Sequence, residues 1–565
     1  MLTKLFSPIE KQKPSNIKFH LPIEYNDKMR EISNIVLDDC EINDNNSIYK
    51  HIFNNNKLNW NKYYTTDTKF LSQMQYLITN FNNKTNIENN LIDDVENILD
   101  ELNNETGFYE KYNYIDIEFL KEINYSAIAL QWLSLYQLTS PFLTLIIPII
   151  MLIIPFILLK FQRVNITLTT YTNVLINLFK HHVLGQLITQ FNNVSWDRRV
   201  FIIMSIGFYF VNIYQNIITC YKFYTNIYKI RTSLLKVKKF IELSLDNMDN
   251  VNSLCKDKLI LFVNKNNTIK NTLLHFKNDI DLINAEKISI FQLTKIGNLF
   301  KSFYELFSNN DYKASLDYII DLQIFTDNIS NLATHIKNNR ISLCKFTKKS
   351  TNFTNAYYAP LINNTSISNS YKIDKNIIIT GPNAAGKTTL LKTTLFNIIL
   401  SQQIGMGCYS KANIFPYDIF HSYINIPDTS ERDSLFQAEA RRCKDILNSI
   451  ENNSSKLRHF CIFDELYSGT NPNEAIASAT SFLTYISEIK NINYLLTTHY
   501  VSLCKLLKDN SNIENNYMDT IDNKPTYKLK NGISQVKGGI KVLQELNYNK
   551  NIINNAEKIL NNIDI

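Results

Sequence analysis

The spacing of apolar and polar residues divides the chain into stretches of different kinds. From Leu21 to Ala127 the two types alternate at mixed helical spacing, which predicts a mainly helical region with exposed Asn-rich loops. From Tyr221 to about Ser350 apolar residues recur every three or four positions, which again predicts helices. Beyond this region short apolar runs appear, and these are typical of buried parallel strands.

Two stretches are apolar without any helical or strand periodicity. Pro141–Leu159 has no charged residue, and as a helix it would be about 29 Å long, close to the roughly 30 Å hydrocarbon layer of a bilayer. The alternative is a buried core helix, but its three prolines disfavour this, because an interior proline costs a soluble helix about 3 kcal/mol. Val200–Ile218 is similar, although it contains three amides. We therefore expect a two-helix membrane hairpin through 141–159 and 200–218.

One of the short apolar runs, Ile377–Ile379, leads into a sequence that fits the pattern of a phosphate-binding loop. Two glycines let successive N–H groups turn inward at a helix N-terminus, a lysine reaches the β- and γ-phosphates, and Thr388 can ligate Mg²⁺. The glycines alone could be turn residues, but a strand precedes and a helix-forming stretch follows. The predicted nucleotide-binding residues are Gly381, Pro382, Asn383, Ala384, Ala385, Gly386, Lys387, Thr388 and Thr389.

Two further apolar runs end in residues suited to hydrolysis. The run His459–Glu465 ends in two acidic residues. Asp464 would hold Mg²⁺ together with Thr388, and Glu465 would polarise the attacking water. An acidic pair at a strand end is also common without any function. Tyr494–His499 ends in His499, which could contact the γ-phosphate and the water. ATP and Mg²⁺ are the expected cofactors, with Glu465 and His499 as catalytic residues.

A helical stretch begins at Asp433 and Ser434, either of which can cap it. A serine at a helix N-terminus can also donate to a phosphate. If a second subunit supplied Ser434 in trans, hydrolysis would depend on the geometry of the dimer.

These motifs together resemble the MutS family of DNA mismatch-repair ATPases. Thr380–Thr389 is similar to the family's phosphate loop, with Ala384-Ala385 where the family usually has Met-Gly. Ser434–Glu439, Asp464–Thr470 and Thr498–Tyr500 resemble its other three motifs, in the same order. The resemblance covers about residues 355–560 and implies that Ser434 meets the γ-phosphate across a homodimer. It also implies DNA binding, to mismatched or structured DNA.

The expected fold is an α/β P-loop ATPase domain of the ABC/MutS type at the C-terminus, residues 351–565, ending in a helical dimerisation segment. A mainly α-helical region precedes it, divided into residues 1–137, the membrane hairpin at 138–220 and a helical core or lever region at 221–350. Family members usually begin with a domain that inserts a Phe-x-Glu wedge into DNA. Phe108-Tyr109-Glu110 has this spelling, but we interpret it as coincidence because no mixed α/β domain surrounds it.

Composition adds little to this interpretation. The net charge of +7 permits nucleic-acid binding without indicating it, and the eight scattered cysteines indicate reduced thiols in the cytosol. We expect a membrane protein whose ATPase domain faces the cytosol, with residues 161–199 translocated or at the membrane surface. A soluble cytoplasmic or nuclear protein is the alternative.

Three functions are compatible with the sequence. The first is a dimeric, DNA-binding MutS-like ATPase. The second is a membrane-anchored, ATP-driven conformational switch with no role in repair. The third is a nucleotide-binding scaffold that hydrolyses little, suggested by Ala384-Ala385.

Overall fold

The computed structural model describes residues 17–42, 48–55, 57–82, 87–104, 107–162, 167–181, 185, 188–189, 191, 195–281, 294–362, 366–424, 426, 434–453, 456–521, 524–534, 543 and 546–562. Asp433, one of the two predicted helix caps, lies outside these residues, as does part of the segment 161–199.

The helices, in chain order, are α1 Asn34–Asp39, α2 Thr68–Asn80, α3 Asn89–Asn104, α4 Phe108–Tyr112, α5 Ala127–Phe161, α6 Leu168–His181, α7 Trp196–Leu254, α8 Ile260–Asp281, α9 Ile296–Ser308, α10 Asn310–Lys337, α11 Lys387–Ile404, α12 Leu435–Asn452, α13 Pro472–Ser487, α14 Val501–Leu506 and α15 Lys550–Asn562. Short 3-10 helices occur at Pro22–Tyr25, Ile48–His51, Glu118–Tyr125, Asp257–Leu259 and Ala359–Leu361.

The strands are β1 Met29–Glu31, β2 Tyr63–Thr65, β3 Ser342–Phe346, β4 Thr351–Ala356, β5 Asn369–Ile373, β6 Asn376–Thr380, β7 Met406–Gly407, β8 Lys411–Ile414, β9 Ile419–Tyr423, β10 His459–Asp464, β11 Ile492–Thr498, β12 Ile513–Ile521 and β13 Lys524–Asn531. All eight cysteines are free thiols.

The chain forms two compact units. The first consists of residues 1–18, 86–245 and 269–319, and its described part is helical. Aromatic residues build much of its core: Phe108 stacks on Phe307 with ring centroids 3.7 Å apart, and Phe223 stacks on Phe300 at 5.4 Å. This helical unit contains the two apolar stretches, which are parts of the longer helices α5 and α7.

The second unit consists of residues 19–85, 246–268 and 320–565. Its main sheet has six strands in the order β13-β12-β6-β11-β10-β9, parallel except for β13. A second sheet has the order β5-β4-β8-β3-β7, and β1 pairs with β2. The apolar runs that predicted strands at 377–379, 459–464 and 494–498 all lie in the central strands of the main sheet, which explains their nearly continuous hydrophobicity.

Helices cover both faces of the main sheet, as in other doubly wound folds. On one face α12, α13 and α14 pack on alternate strand residues such as Cys461, Phe463 and Leu496. On the other face lies α11, in which every residue from Leu390 to Ile404 is buried.

Residues 19–82 provide the polar partners that this buried helix needs. The amide of Gln403 donates to the carbonyls of Trp60 and Tyr63 at 2.8 and 3.0 Å, and its oxygen accepts from the Tyr49 hydroxyl. Lys392 pairs with Glu41 at 2.7 Å. Because buried polar groups must be hydrogen-bonded, this N-terminal segment is an integral layer of the second unit.

Candidate nucleotide-binding site

The predicted phosphate loop lies where β6 ends and α11 begins, at the carboxyl edge of the parallel sheet. Its turn is made by Ala384 and Gly386 with φ angles of 56° and 88°, and Gly386 is the N-cap of α11. A Cβ atom on Gly386 would lie 3.0 Å from the Tyr527 ring, so glycine meets both the backbone and the spatial requirement here. The loop lines a cavity of about 490 Å³, large enough for a nucleotide.

Lys387 is the first residue of α11 and is buried. Its Nζ donates to the carbonyls of Gly381 and Pro382 at 3.1 and 3.2 Å and lies 3.1 Å from Nε2 of His499. Burial lowers the pKa of Lys387, while Glu465 and Asp464 oppose this effect. A phosphate bound at the loop would replace the two carbonyl partners of the Lys387 ammonium with a group that carries a full negative charge.

The two predicted metal ligands are in direct contact. The Thr388 hydroxyl donates to Oδ2 of Asp464 at 2.7 Å, and the Thr497 hydroxyl donates to Oδ1 of the same carboxylate. These are hard oxygen atoms of the kind that Mg²⁺ prefers, and this ion usually takes its remaining ligands from phosphates and water. Within the described ranges no group of three or more His, Cys, Asp or Glu side chains could hold a metal ion. The residues present therefore fit Mg²⁺ bound together with a nucleotide.

Glu465 and His499 are in contact beside the cavity. Nε2 of His499 lies 2.8 Å from Oε1 of Glu465, and this hydrogen bond is the main cause that lowers the pKa of Glu465. Glu465 has a φ of 53°, a strained conformation for a residue with a side chain, so the turn after β10 is held in place by its surroundings. The carboxylate is ionised at neutral pH and is able to accept a proton.

The rim of the cavity contains residues that the sequence motifs do not include. Five of the residues that line it are Tyr357, Tyr358, Leu361, Ile367 and Tyr527. This aromatic and aliphatic lining suits a flat nucleobase. No residue pattern identifies the set, because the sheet topology brings its members together from β13 and from the segment between β4 and β5.

Ser434 does not line this cavity. It is the N-cap of α12, where its hydroxyl accepts from the Gln437 N–H at 3.4 Å and Gln437 bonds back to the Ser434 N–H at 3.0 Å. Ser434 is exposed to solvent. Of the two predicted caps, Ser434 is the one described in this role.

One turn further along α12, Glu439 makes contacts that the sequence did not predict. Its carboxylate accepts from the N–H and hydroxyl of Ser468, at 3.1 and 2.9 Å, and from the N–H of Gly469, at 3.1 Å. The side chain is only 2% exposed. Glu439 thus ties the start of α12 to the loop that follows Glu465.

The sequence Phe108-Tyr109-Glu110 is not placed to read DNA. Phe108 is 1% exposed and packed among Tyr112, Phe303 and Phe307 in the core of the helical unit. The match of this sequence to the Phe-x-Glu motif is therefore a coincidence, because a wedge residue must be free to enter the base stack.

A doubly wound sheet carries a phosphate loop, an Asp-Glu pair and a histidine at the ends of neighbouring strands. This combination of residues defines the class of the site. A family model described as MutS domain V matches residues 377–564. This part of the chain is similar to MutS domain V, and the similarity indicates an ATPase.

Curated relatives of this chain include proteins named MutS2 and MutS. "Endonuclease MutS2" of Finegoldia magna is 32% identical over 192 residues, which are 33% of this chain and 24% of that protein. "Endonuclease MutS2" of Staphylococcus epidermidis is 31% identical over 219 residues, covering 36% and 26% of the two chains. "DNA mismatch repair protein MutS" of Bacteroides fragilis is 32% identical over 195 residues, covering 33% and 22%. The match thus spans about a quarter of each relative.

Proposed function

We propose that this chain is a MutS-like ATPase that hydrolyses ATP at a composite dimer interface and couples hydrolysis to the binding of mismatched or structured DNA. The observation that carries the proposal is the convergence of Lys387, Thr388, Asp464, Glu465 and His499 at one edge of the sheet, beside a cavity of nucleotide size.

Each residue has a defined role in this proposal. Lys387 binds the β- and γ-phosphates, and Thr388 and Asp464 hold Mg²⁺, which when bound neutralises charge on the phosphates. Glu465 orients the attacking water and accepts its proton. A single nitrogen of His499 faces both Lys387 and Glu465 and cannot accept from one while donating to the other. Movement of Lys387 toward a phosphate therefore frees His499 to hold Glu465 in position.

Two substitutions test these roles. Lys387→Ala should abolish ATP binding. Glu465→Gln should leave affinity for a fluorescent ATP analogue nearly unchanged but lower turnover by about 100-fold or more, the usual contribution of a general base. Unchanged turnover in Glu465→Gln would instead favour the scaffold function.

The dimer is supported by the C-terminal segment and by the position of Ser434. Helix α15 exposes Ile552 and Ile559, at 51% and 60%, as a dimerisation helix would before assembly. Ser434 is exposed and lies outside its own cavity, so it is available to the cavity of a second subunit.

Mixed dimers distinguish action in trans from action in cis. Lys387→Ala and Ser434→Ala should each be inactive alone, whereas a mixed dimer that contains one subunit of each variant should regain up to half of the wild-type turnover. If Ser434 acts in trans, both defects fall on one site of the mixed dimer and the other site is intact. No recovery would mean that Ser434 acts within its own subunit or not at all.

A second candidate function is a membrane-anchored, ATP-driven switch with no repair role. Among the described residues one helix, α7, is long and apolar enough to cross a membrane, and only 6% of its apolar stretch is buried. In this proposal the hairpin enters the membrane through 141–159 and 200–218, and the ATPase domain faces the cytosol. Protection of residues 161–199 from added protease in sealed vesicles would support this topology, and their cleavage would exclude it.

A further inference from the structure

The apolar parts of α5 and α7 in the helical unit are exposed rather than buried. No described side chain from 141 to 159 is buried, and from 200 to 218 only Ile202 is. The largest exposed side chains, each between 51% and 69% accessible, include Phe142, Leu145 and Ile157 on α5 and Phe201, Phe208 and Phe210 on α7. A soluble protein rarely leaves so continuous an apolar surface in water.

Two side-chain hydrogen bonds join these two helices. The Asn216 amide donates to the Thr144 hydroxyl at 3.0 Å, and the Cys220 thiol donates to the Leu138 carbonyl at 3.5 Å. Asn216 also bonds to Asn212 on its own helix. Side-chain hydrogen bonds between two helices with exposed apolar surfaces are typical of helices that pack within lipid.

The same two contacts set the relative register of the helices. They join residues 138 and 144 of α5 to residues 220 and 216 of α7, so the helices are antiparallel. In this register Tyr136 is level with about residue 223 and Phe161 with about residue 198. Exposed aromatic residues occur at both levels.

These aromatic residues form two belts. The first belt consists of Trp132, Tyr136, Tyr221 and Tyr224, and the second of Phe161 and Trp196, all between 49% and 88% exposed. Tyr136 and Phe161 are 25 residues apart, as are Trp196 and Tyr221, which is about 38 Å along each helix. That length lies between the roughly 30 Å hydrocarbon core and the roughly 40–45 Å full thickness of a bilayer. Tryptophan and tyrosine concentrate at these interfaces.

Charged residues are absent from most of the length between the two belts. No charged residue occurs from 123 through 159 or from 200 through 221. The first charged residues beyond these segments are Glu122, Lys160, Arg199 and Lys222, of which Lys160 and Arg199 lie within one turn of the second belt.

We infer that the partner of this hairpin is a lipid bilayer, crossed by both helices, with the two aromatic belts at its two interfaces. A second copy of the chain or another protein would cover one face of the hairpin, whereas the described exposed apolar side chains lie on both helices and are spread along them between the belts. The inference deepens the membrane-anchored candidate function and does not depend on whether the ATPase acts on DNA.

The three tryptophans of the chain permit a direct test. Trp132 and Trp196 lie one in each belt, while Trp60 is 6% exposed in the other unit and serves as an internal control. The full-length protein is reconstituted in phosphatidylcholine vesicles that carry bromine either near the headgroups or near the chain ends. Trp132→Phe leaves Trp196 together with Trp60, Trp196→Phe leaves Trp132 together with Trp60, and the double variant leaves Trp60 alone.

Shallow bromines should quench Trp132 and Trp196 at least twice as strongly as deep ones, and Trp60 should be quenched by neither. Equal absence of quenching at both belts would overturn the inference. Stronger quenching by deep bromines at either belt would also overturn it, because that belt would then lie within the hydrocarbon.

A charge placed between the belts gives a second test that does not require labelled lipid. Phe208→Asp should reduce the fraction of protein retained in carbonate-washed membranes at least fivefold. Tyr228→Asp, at a similarly exposed position on the same helix beyond the belt, should leave it unchanged. ATPase turnover of each preparation in detergent is measured in parallel, so that loss of the fold or of the proposed ATPase is separated from loss of insertion. Recovery of the wild-type protein as a monodisperse oligomer without detergent would contradict the inference.

Discussion

Replacement of Glu439 by glutamine should uncouple the start of α12 from the loop that follows Glu465. The buried carboxylate accepts three hydrogen bonds from Ser468 and Gly469. Glutamine has nearly the same volume but offers one acceptor oxygen and places an NH₂ group against at least one N–H donor. A buried donor left without its partner costs about 1–3 kcal/mol, and bonds to a charged acceptor are worth about 1.5–3 kcal/mol each. We therefore expect Glu439→Gln to lower the free energy of unfolding by about 2–4 kcal/mol.

The assay is urea unfolding of the purified protein, followed by steady-state ATPase measurements under conditions in which the variant stays folded. Turnover should fall about tenfold or more, because the loop that carries Glu465 is no longer held to the helix that begins at Ser434. Glu451→Gln is the matched control: Glu451 lies on the same helix, is exposed, and accepts a hydrogen bond from the Tyr485 hydroxyl. A loss below 0.5 kcal/mol in Glu439→Gln, or an equal loss in both variants, would refute this reasoning.

Three further predictions follow from particular contacts. Gln403→Ala should destabilise the second unit by about 2–4 kcal/mol in urea unfolding, because the Tyr49 hydroxyl and the Trp60 and Tyr63 carbonyls lose a buried partner. Tyr527→Ala should weaken binding of ATP and GTP alike by about 1–3 kcal/mol in titration calorimetry, the usual contribution of an aromatic ring stacked on a base. Burial lowers the pKa of His421 to about 3 and also lowers that of its partner His459, so the unfolded chain binds more protons below pH about 6.5. The free energy of unfolding should have its full value above that pH and decline as the pH falls toward 3. His421→Gln should reduce this decline by about 1.4 kcal/mol per pH unit, measured by thermal or urea unfolding.

The parts of the structure that the sequence predicts are those encoded by local patterns. Ile377–Ile379 is a buried run of β-branched residues before a glycine, and it forms the strand that ends at the phosphate loop. Ser434 with Gln437 is a capping box, and the helix starts there. The acids at the end of β10 and the histidine after β11 follow from the rule that parallel strands present their carboxyl ends at one edge.

The parts that the sequence does not predict depend on contacts between distant residues. Nothing local indicates that residues 19–82 supply the polar partners of α11, since Gln403 and Trp60 are joined only in the folded chain. Tyr527 reaches the cavity because β13 lies at the edge of the sheet beyond β12. Glu439 belongs to a recognisable motif, but its bonds to Ser468 and Gly469 depend on how α12 packs on the sheet. Phe108 is a different case: the sequence around it matches a motif, but the side chain is buried and therefore cannot have the function that the motif suggests.

The central claim is that the residues around Lys387 and Glu465 form an ATPase coupled to DNA. The most direct measurement is the steady-state ATPase rate of the full-length protein in detergent with Mg²⁺, without DNA and with homoduplex, mismatched and branched DNA, using Glu465→Gln as the inactive reference. The account predicts turnover that requires Mg²⁺, is lost in Glu465→Gln, and changes severalfold with at least one of the DNA structures. Turnover that equals that of Glu465→Gln would contradict the ATPase, and turnover that is the same with every DNA would contradict the coupling and leave the membrane-anchored switch.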